Sequence, residues 1–207
     1  MNCDRIAPWY RYLEYLSFGS ALHRRRCHFL PQLRDASKVL MLGEGDGRFL
    51  AEFLALNVTA EIDYVDTSAK MLRLAVRVDS NLRVTFRQHD VLSDAIPSTG
   101  YDLIVTHFFL DCFADDELKR LVRRVAESAA PRARWVVSEF RLPENGWRCR
   151  RAQVCVRGLY LGFRILTGLR TQRLPDYATA LTGTGFQMQS EEIASAGLLT
   201  SQMWERS

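Results

Sequence analysis

Three turns in this 207-residue chain combine residue types able to hold a ligand. The first is Gly43-Glu44-Gly45-Asp46-Gly47, directly after the apolar run Val39-Leu40-Met41-Leu42. Glycines there let the backbone take conformations closed to other residues and let a ligand approach the bare main chain. The second is Asp66, 19 residues after Gly47 and followed by Thr67 and Ser68. Nucleotide-binding α/β folds place a ribose-binding acid about 20 residues after such a turn. A carboxylate at that point accepts hydrogen bonds from both ribose hydroxyls. The same residues also suit a helix N-cap, and the two roles are compatible. The third is His89-Asp90-Val91-Leu92, where Asp90 is placed to accept an adenine amino group with Val91 beside the ring. Each turn alone also has a plainer reading, a tight strand–helix link or a turn aspartate. Their succession is more specific than any one of them.

The charges in the first turn narrow the ligand. Glu44 and Asp46 would repel a pyrophosphate and suit a group carrying a sulfonium and an ammonium. A nicotinamide-type GxGxxG counted from Gly43 would need glycine at position 48, where Arg48 stands. No GK[ST] follows, so a phosphate-binding P-loop is excluded.

These turns need strands and helices to hold them. Lys38–Leu42, Glu61–Val65, Arg83–Arg87, Tyr101–Thr106 and Trp135–Phe140 read as five buried strands. Between them Asp46–Leu56, Ser68–Val78 and Asp115–Ser128 read as helices, the last with acids in its first turn and arginines later. This alternation predicts a parallel, doubly wound sheet with its ligand edge at the strand C-termini. Pro175–Thr184 reads as a last helix. Phe186–Glu192 and Leu198–Glu205 read as two final strands, antiparallel because only a short turn at Ala196-Gly197 joins them. Residues 1–36 read as an aromatic-rich N-terminal helical cap, and 141–174 as a helical insert rich in arginine and aromatics.

Composition is that of an ordinary globular protein, 47% hydrophobic and 25% charged. The net charge of +4, carried almost wholly by arginine, does not demand a nucleic-acid partner. Five cysteines, an odd number with no CxxC pair, suggest a reducing, cytoplasmic setting and neither a zinc site nor a disulfide framework. The N-terminus lacks the apolar core of a signal peptide.

The segments VLMLGEGDGRFL, YVDTSAKML, RQHDVL and YDLIVTHFFLDCF resemble the successive cofactor motifs of class I S-adenosylmethionine-dependent methyltransferases of the small-molecule type. The likeness covers roughly residues 37–140, with a weaker echo in LPDYATALTGTGF. It implies a three-layer α/β fold with a mostly parallel seven-stranded sheet, the last strand antiparallel, and a methyltransferase domain over 37–207. It implies S-adenosylmethionine as cofactor and S-adenosylhomocysteine as product. By resemblance, Gly43, Glu44, Gly45 and Gly47 line the amino-acid part, Asp66, Thr67 and Met71 border the ribose, and Asp90 and Val91 border adenine. One departure is Met41, where the family often carries an acid.

By the same resemblance the turn Thr106-His107-Phe108-Phe109-Leu110-Asp111 faces the methyl group. His107 is then a candidate base or cofactor contact, and Asp111 a candidate for orienting a substrate. A hydrogen-bonded core histidine is the competing reading of His107. Trp9, Tyr10, Tyr15, Trp147 and Tyr160 are candidates for an apolar acceptor pocket, and no metal is expected. The expected partner is a small, apolar or aromatic acceptor. The alternatives are an RNA or protein substrate met by the arginine-rich insert, or a non-catalytic cofactor-binding relative. The absence of NPPY- and DPPY-like sequences disfavours nucleic acid. The insert's arginines leave room for a peripheral membrane contact, and a monomer or homodimer is expected.

Overall fold

A computed structural model of the chain describes residues 18–78, 83–141 and 174–207. Seven strands form one sheet in the order β3-β2-β1-β4-β5-β7-β6. They are β1 Lys38–Leu42, β2 Glu61–Asp66, β3 Val84–Gln88, β4 Tyr101–His107, β5 Ala129–Phe140, β6 Phe186–Ala194 and β7 Leu199–Arg206. The described helices are α1 Ala21–Arg26, α2 Arg48–Leu56, α3 Ala69–Ala75, α4 Asp115–Ser128 and α5 Tyr177–Thr182. β1 to β5 pair in parallel, and β7 runs antiparallel between β5 and β6. The expected seven-stranded sheet with an antiparallel last strand is therefore present.

Successive strand residues point to opposite faces, and here both faces are buried. Leu40, Leu42, Ile104, Trp135 and Val137 pack with Leu118, Leu121, Val122 and Val125 of α4 and Leu181 of α5. Val39, Met41, Tyr64, Leu103, Val105 and Val136 pack with Phe49, Leu50 and Phe53 of α2 and with Phe29 and Leu33. Two-sided burial explains why the strands read as continuous apolar runs instead of alternating ones. The indole of Trp135 donates to the Thr106 hydroxyl at 2.9 Å, so its polar edge is satisfied inside the core.

The lower end of the sheet, at the strand N-termini, is tied by side chains. Asn57 donates to the carbonyls of Arg34 and Ala36 at 3.0 and 2.8 Å and accepts from the backbone of Thr59 and Ala60 at 3.1 and 2.8 Å. Asp102 accepts from the backbone of Ser37 and Lys38 at 2.8 and 3.0 Å.

Two boundaries differ from expectation for local reasons. The second helix starts at Arg48, not Asp46, because Gly47 is left-handed at φ 82°. β5 starts at Ala129, not Trp135. Its pairing with β4 shifts register between Ala129 and Arg134, with Arg132 at φ 61° inside the irregularity. Pro131 lies in the same stretch, and the strand accommodates it with a bulge.

Of the expected N-terminal cap, only residues from 18 onward are described. There α1 lies against β5 and β7, and its Arg25 carbonyl accepts from the hydroxyls of Ser138 and Ser201 at 3.1 and 2.9 Å. Trp9, Tyr10, Tyr15, Trp147, Tyr160 and nearly all of the 141–174 insert lie outside the described residues. No helix among the described residues is long and apolar enough to cross a membrane.

Candidate functional site

The parallel order puts the C-terminal ends of β1, β2 and β4 side by side, and the predicted turns gather there. The glycine turn leaves β1 with Gly43, Gly45 and Gly47 at φ 66°, 66° and 82°. All three lie where side chains are disfavoured, yet each answers a different constraint. A Cβ on Gly43 would fall 2.1 Å from the ring of Phe109. A Cβ on Gly47 would fall 2.9 Å from the Cα of Ala75, so α2 and α3 need that glycine to pack. A Cβ on Gly45 would meet nothing within 4 Å among the described residues. Packing therefore accounts for the first and third glycines, while Gly45 borders open space.

The turn is braced from below. Gly43 donates its backbone N–H to the Val65 carbonyl at 2.9 Å. Tyr64, fully buried on β2, donates its hydroxyl to the Gly45 carbonyl at 3.0 Å. Burial, with the carboxylates of Glu44, Asp66 and Asp46 nearby, raises the Tyr64 hydroxyl well above the usual phenol range, so it stays a donor. Asp46 pairs with Arg48 at 2.9 Å.

Glu44 points inward, away from the ligand side. Its side chain is sealed, accepts from the His107 backbone N–H at 3.1 Å and meets the His107 Nδ1 at 3.1 Å. His107 has no exposed side-chain surface, and its ring lies edge-on to Phe49 with centroids 4.6 Å apart. Its Nε2 is buried without a hydrogen-bond partner among the described residues. The structure thus joins these two candidates to each other beneath the turn and gives neither an open face.

At the tip of β2, Asp66 accepts from the Ser68 backbone at 2.8 Å, and the Ser68 hydroxyl accepts from Met71 N at 3.2 Å. The acid and the cap thus share one turn, as the sequence suggested. Asp66 and Thr67 are half-buried, and Met71 is buried behind them. After β3, Asp90 is exposed and accepts from Leu92 N at 3.0 Å, while Val91 is buried. Asp111 is buried in the turn after β4.

Three residues at this edge escaped sequence reasoning. Arg26 of α1 is buried with its guanidinium 5.1 Å from the Phe108 ring centroid. Phe109 spans from the β4 turn to Gly43, following Phe108 in a left-handed conformation at φ 53°. Glu139 of β5 is completely buried, and its Oε1 accepts from Phe109 N at 3.0 Å and Leu110 N at 2.8 Å. A lone glutamate in the apolar run Trp135-Val136-Val137-Ser138-Glu139-Phe140 was the available signal. Cys27, by contrast, offers no reactive thiol, since burial pushes it up to about 11.

Comparison with known proteins agrees with this fold. Residues 39–132 match the family of methyltransferase domains. No curated protein matches the sequence. Among solved structures, an O-methyltransferase family protein from Burkholderia thailandensis is similar at TM-score 0.73 and 17% identity, covering 98% of this chain and 62% of that one. An S-adenosylmethionine-dependent methyltransferase from Mesorhizobium loti is similar at TM-score 0.67 and 18% identity, covering 92% and 98%. The N-methyltransferase NodS from Bradyrhizobium japonicum, in complex with S-adenosylhomocysteine, is similar at TM-score 0.60 and 14% identity, covering 90% and 84%. This chain thus spans about three fifths of the length of the first of these. At such identities these structures show the fold alone, and residues 39–132, a little under half of the chain, are similar to methyltransferase domains.

Proposed function

We propose that the chain transfers the methyl group of S-adenosylmethionine to a small acceptor. The observation that carries this reading is Gly45, left-handed and facing empty space, beside the carboxylate of Asp66 one strand away. That cradle fits the cofactor, because a side chain at Gly45 would fill the space a ligand needs. In this reading Asp66 and Thr67 border the ribose and Asp90 and Val91 border the adenine. Arg26, buried near the glycine turn, is the cation suited to the cofactor's carboxylate. The cofactor supplies an activated methyl group on a cationic sulfur, and the protein supplies orientation and exclusion of water.

Glu44 and His107 serve this reading as a buried brace. The closed surroundings of His107 favour the core-histidine role over that of a base. Asp111, buried in the β4 turn, keeps a role in orienting the acceptor. An apolar or aromatic acceptor remains the proposal, resting on Trp9, Tyr10, Tyr15, Trp147 and Tyr160.

Calorimetric titration with S-adenosylmethionine and S-adenosylhomocysteine tests the cofactor site. Product analysis then tests the transfer, with methylated acceptor and S-adenosylhomocysteine expected in equal amounts. Absence of heat and of thermal shift with both ligands would refute the proposal.

A further inference from the structure

Glu139 stands apart from every other acid among the described residues. One oxygen is fully used by two backbone N–H groups, while Oε2 is buried with no hydrogen-bond partner among the described residues. A buried carboxylate oxygen without a donor is costly, and such groups are rare outside sites that use them. Among the described residues no side chain donates a hydrogen bond to Glu139. Asp111 stands near in the β4 turn and disfavours a second charge. Tyr177 from α5 lies within electrostatic reach of Glu139, and that phenol is itself raised by burial and by the Glu139 carboxyl. Burial first, and then the Asp111 carboxylate, push Glu139 well above the usual carboxylate range, against the backbone donors that favour the charged form. Full burial, an oxygen without a donor among the described residues and a second acid beside it all favour the neutral, protonated carboxyl.

The same side chain is linked to the cofactor turn. Its Oε1 holds the backbone of Phe109, and the Phe109 ring rests on Gly43. We propose, resting on the cofactor reading above, that Glu139 is a positioning residue of the transfer site, which gives up its proton as the cationic cofactor binds. The O–H bond of the carboxyl breaks, the proton passes to solvent buffer, and the carboxylate remains. The charged carboxylate then holds Phe109 N and Leu110 N more tightly, because a bond to an ionised acceptor is stronger. The β4 turn, already held by these two bonds, is held more firmly while the positive sulfur is present. The product, whose sulfur is neutral, lacks the charge that draws the proton off, so the turn relaxes with product bound.

Proton release on binding is measurable without any acceptor. Titration calorimetry at pH 7, in buffers of different ionisation enthalpy, counts the protons released with each ligand. Wild type should release a measurable fraction of a proton more with S-adenosylmethionine than with S-adenosylhomocysteine. Glu139→Gln, which keeps an oxygen for the two backbone donors, should abolish that excess. Equal excess in wild type and variant overturns the proposal. Infrared difference spectra give a check independent of the variant's folding. Wild type should show a protonated-carboxyl carbonyl band that fades when S-adenosylmethionine is added, and a spectrum without that band also overturns the proposal. Loss of binding heat with both ligands would instead strike the cofactor reading beneath it.

Discussion

The two ends of the sheet solve opposite problems. At the lower end polar side chains close on partners: Asn57 bridges four backbone groups, and Asp102 holds Ser37 and Lys38. At the upper end the backbone is left-handed at Gly43, Gly45, Gly47 and Phe108, and His107 Nε2 and Glu139 Oε2 have no hydrogen-bond partner among the described residues. The lower end is arranged for stability. The upper end leaves buried polar atoms unsatisfied among the described residues, and such groups cluster where ligands bind. The core strands between them are the rigid body that makes this possible.

Substitutions at the two ends should therefore separate stability from binding. The largest effect is expected from Gly47→Val, which drives a branched side chain into the Ala75 backbone. We expect a loss of more than about 4 kcal/mol, seen as failure to give a cooperative melt. This is an upper-end residue with a lower-end phenotype, and a normal melting curve would break the packing argument. Asn57→Ala should cost about 3 kcal/mol, because several buried backbone groups lose partners together. Denaturant titration reads that loss, and cofactor affinity per folded molecule should be unchanged.

Gly45→Val should invert that pattern. The fold has space for the side chain, and the left-handed backbone costs about 1–2 kcal/mol or slightly more, yet cofactor binding should fall beyond detection in calorimetry. Asp66→Ala should weaken binding by about 1.5–3 kcal/mol, the contribution of a hydrogen bond to a charged acceptor. An unchanged affinity would remove Asp66 from the ribose site. The smallest effect concerns pH. Glu139 binds its proton more tightly folded than unfolded, so the native state holds the extra proton and loses stability as pH rises from the ordinary carboxylate range. Glu139→Gln lacks that loss. Its melting temperature should gain on wild type as pH rises from about 5 to 8, and parallel curves would sink the assignment.

Much of this was legible in the sequence because it rests on local chemistry. β1, α4 and the glycine turn follow from apolar runs bounded by glycine or acid, and the Asp66 turn from spacing. Ser68 reads as a cap and is one. What escaped notice depends on contacts distant along the chain. The inward turn of Glu44 is set by His107, 63 residues away, and the grip of Glu139 on Phe109 spans 30. Acidity in the glycine turn looked like complementarity to a cationic ligand, whereas Glu44 is committed to the histidine beneath. The bulge in β5 was hidden because Pro131 ends most strands, and only the neighbouring β4 shows that this one resumes.

The three glycines carry a consequence for descent. Gly43 and Gly47 are held by neighbours within the fold, so any descendant that keeps the fold must keep them. Gly45 answers only to backbone handedness and to whatever fills the space above it. A lineage that abandoned its ligand would therefore drift first at that one position, toward asparagine or aspartate, which tolerate the same twist. Among distant cousins of this chain, the middle letter of the glycine triplet should mark which ones still work and which merely fold.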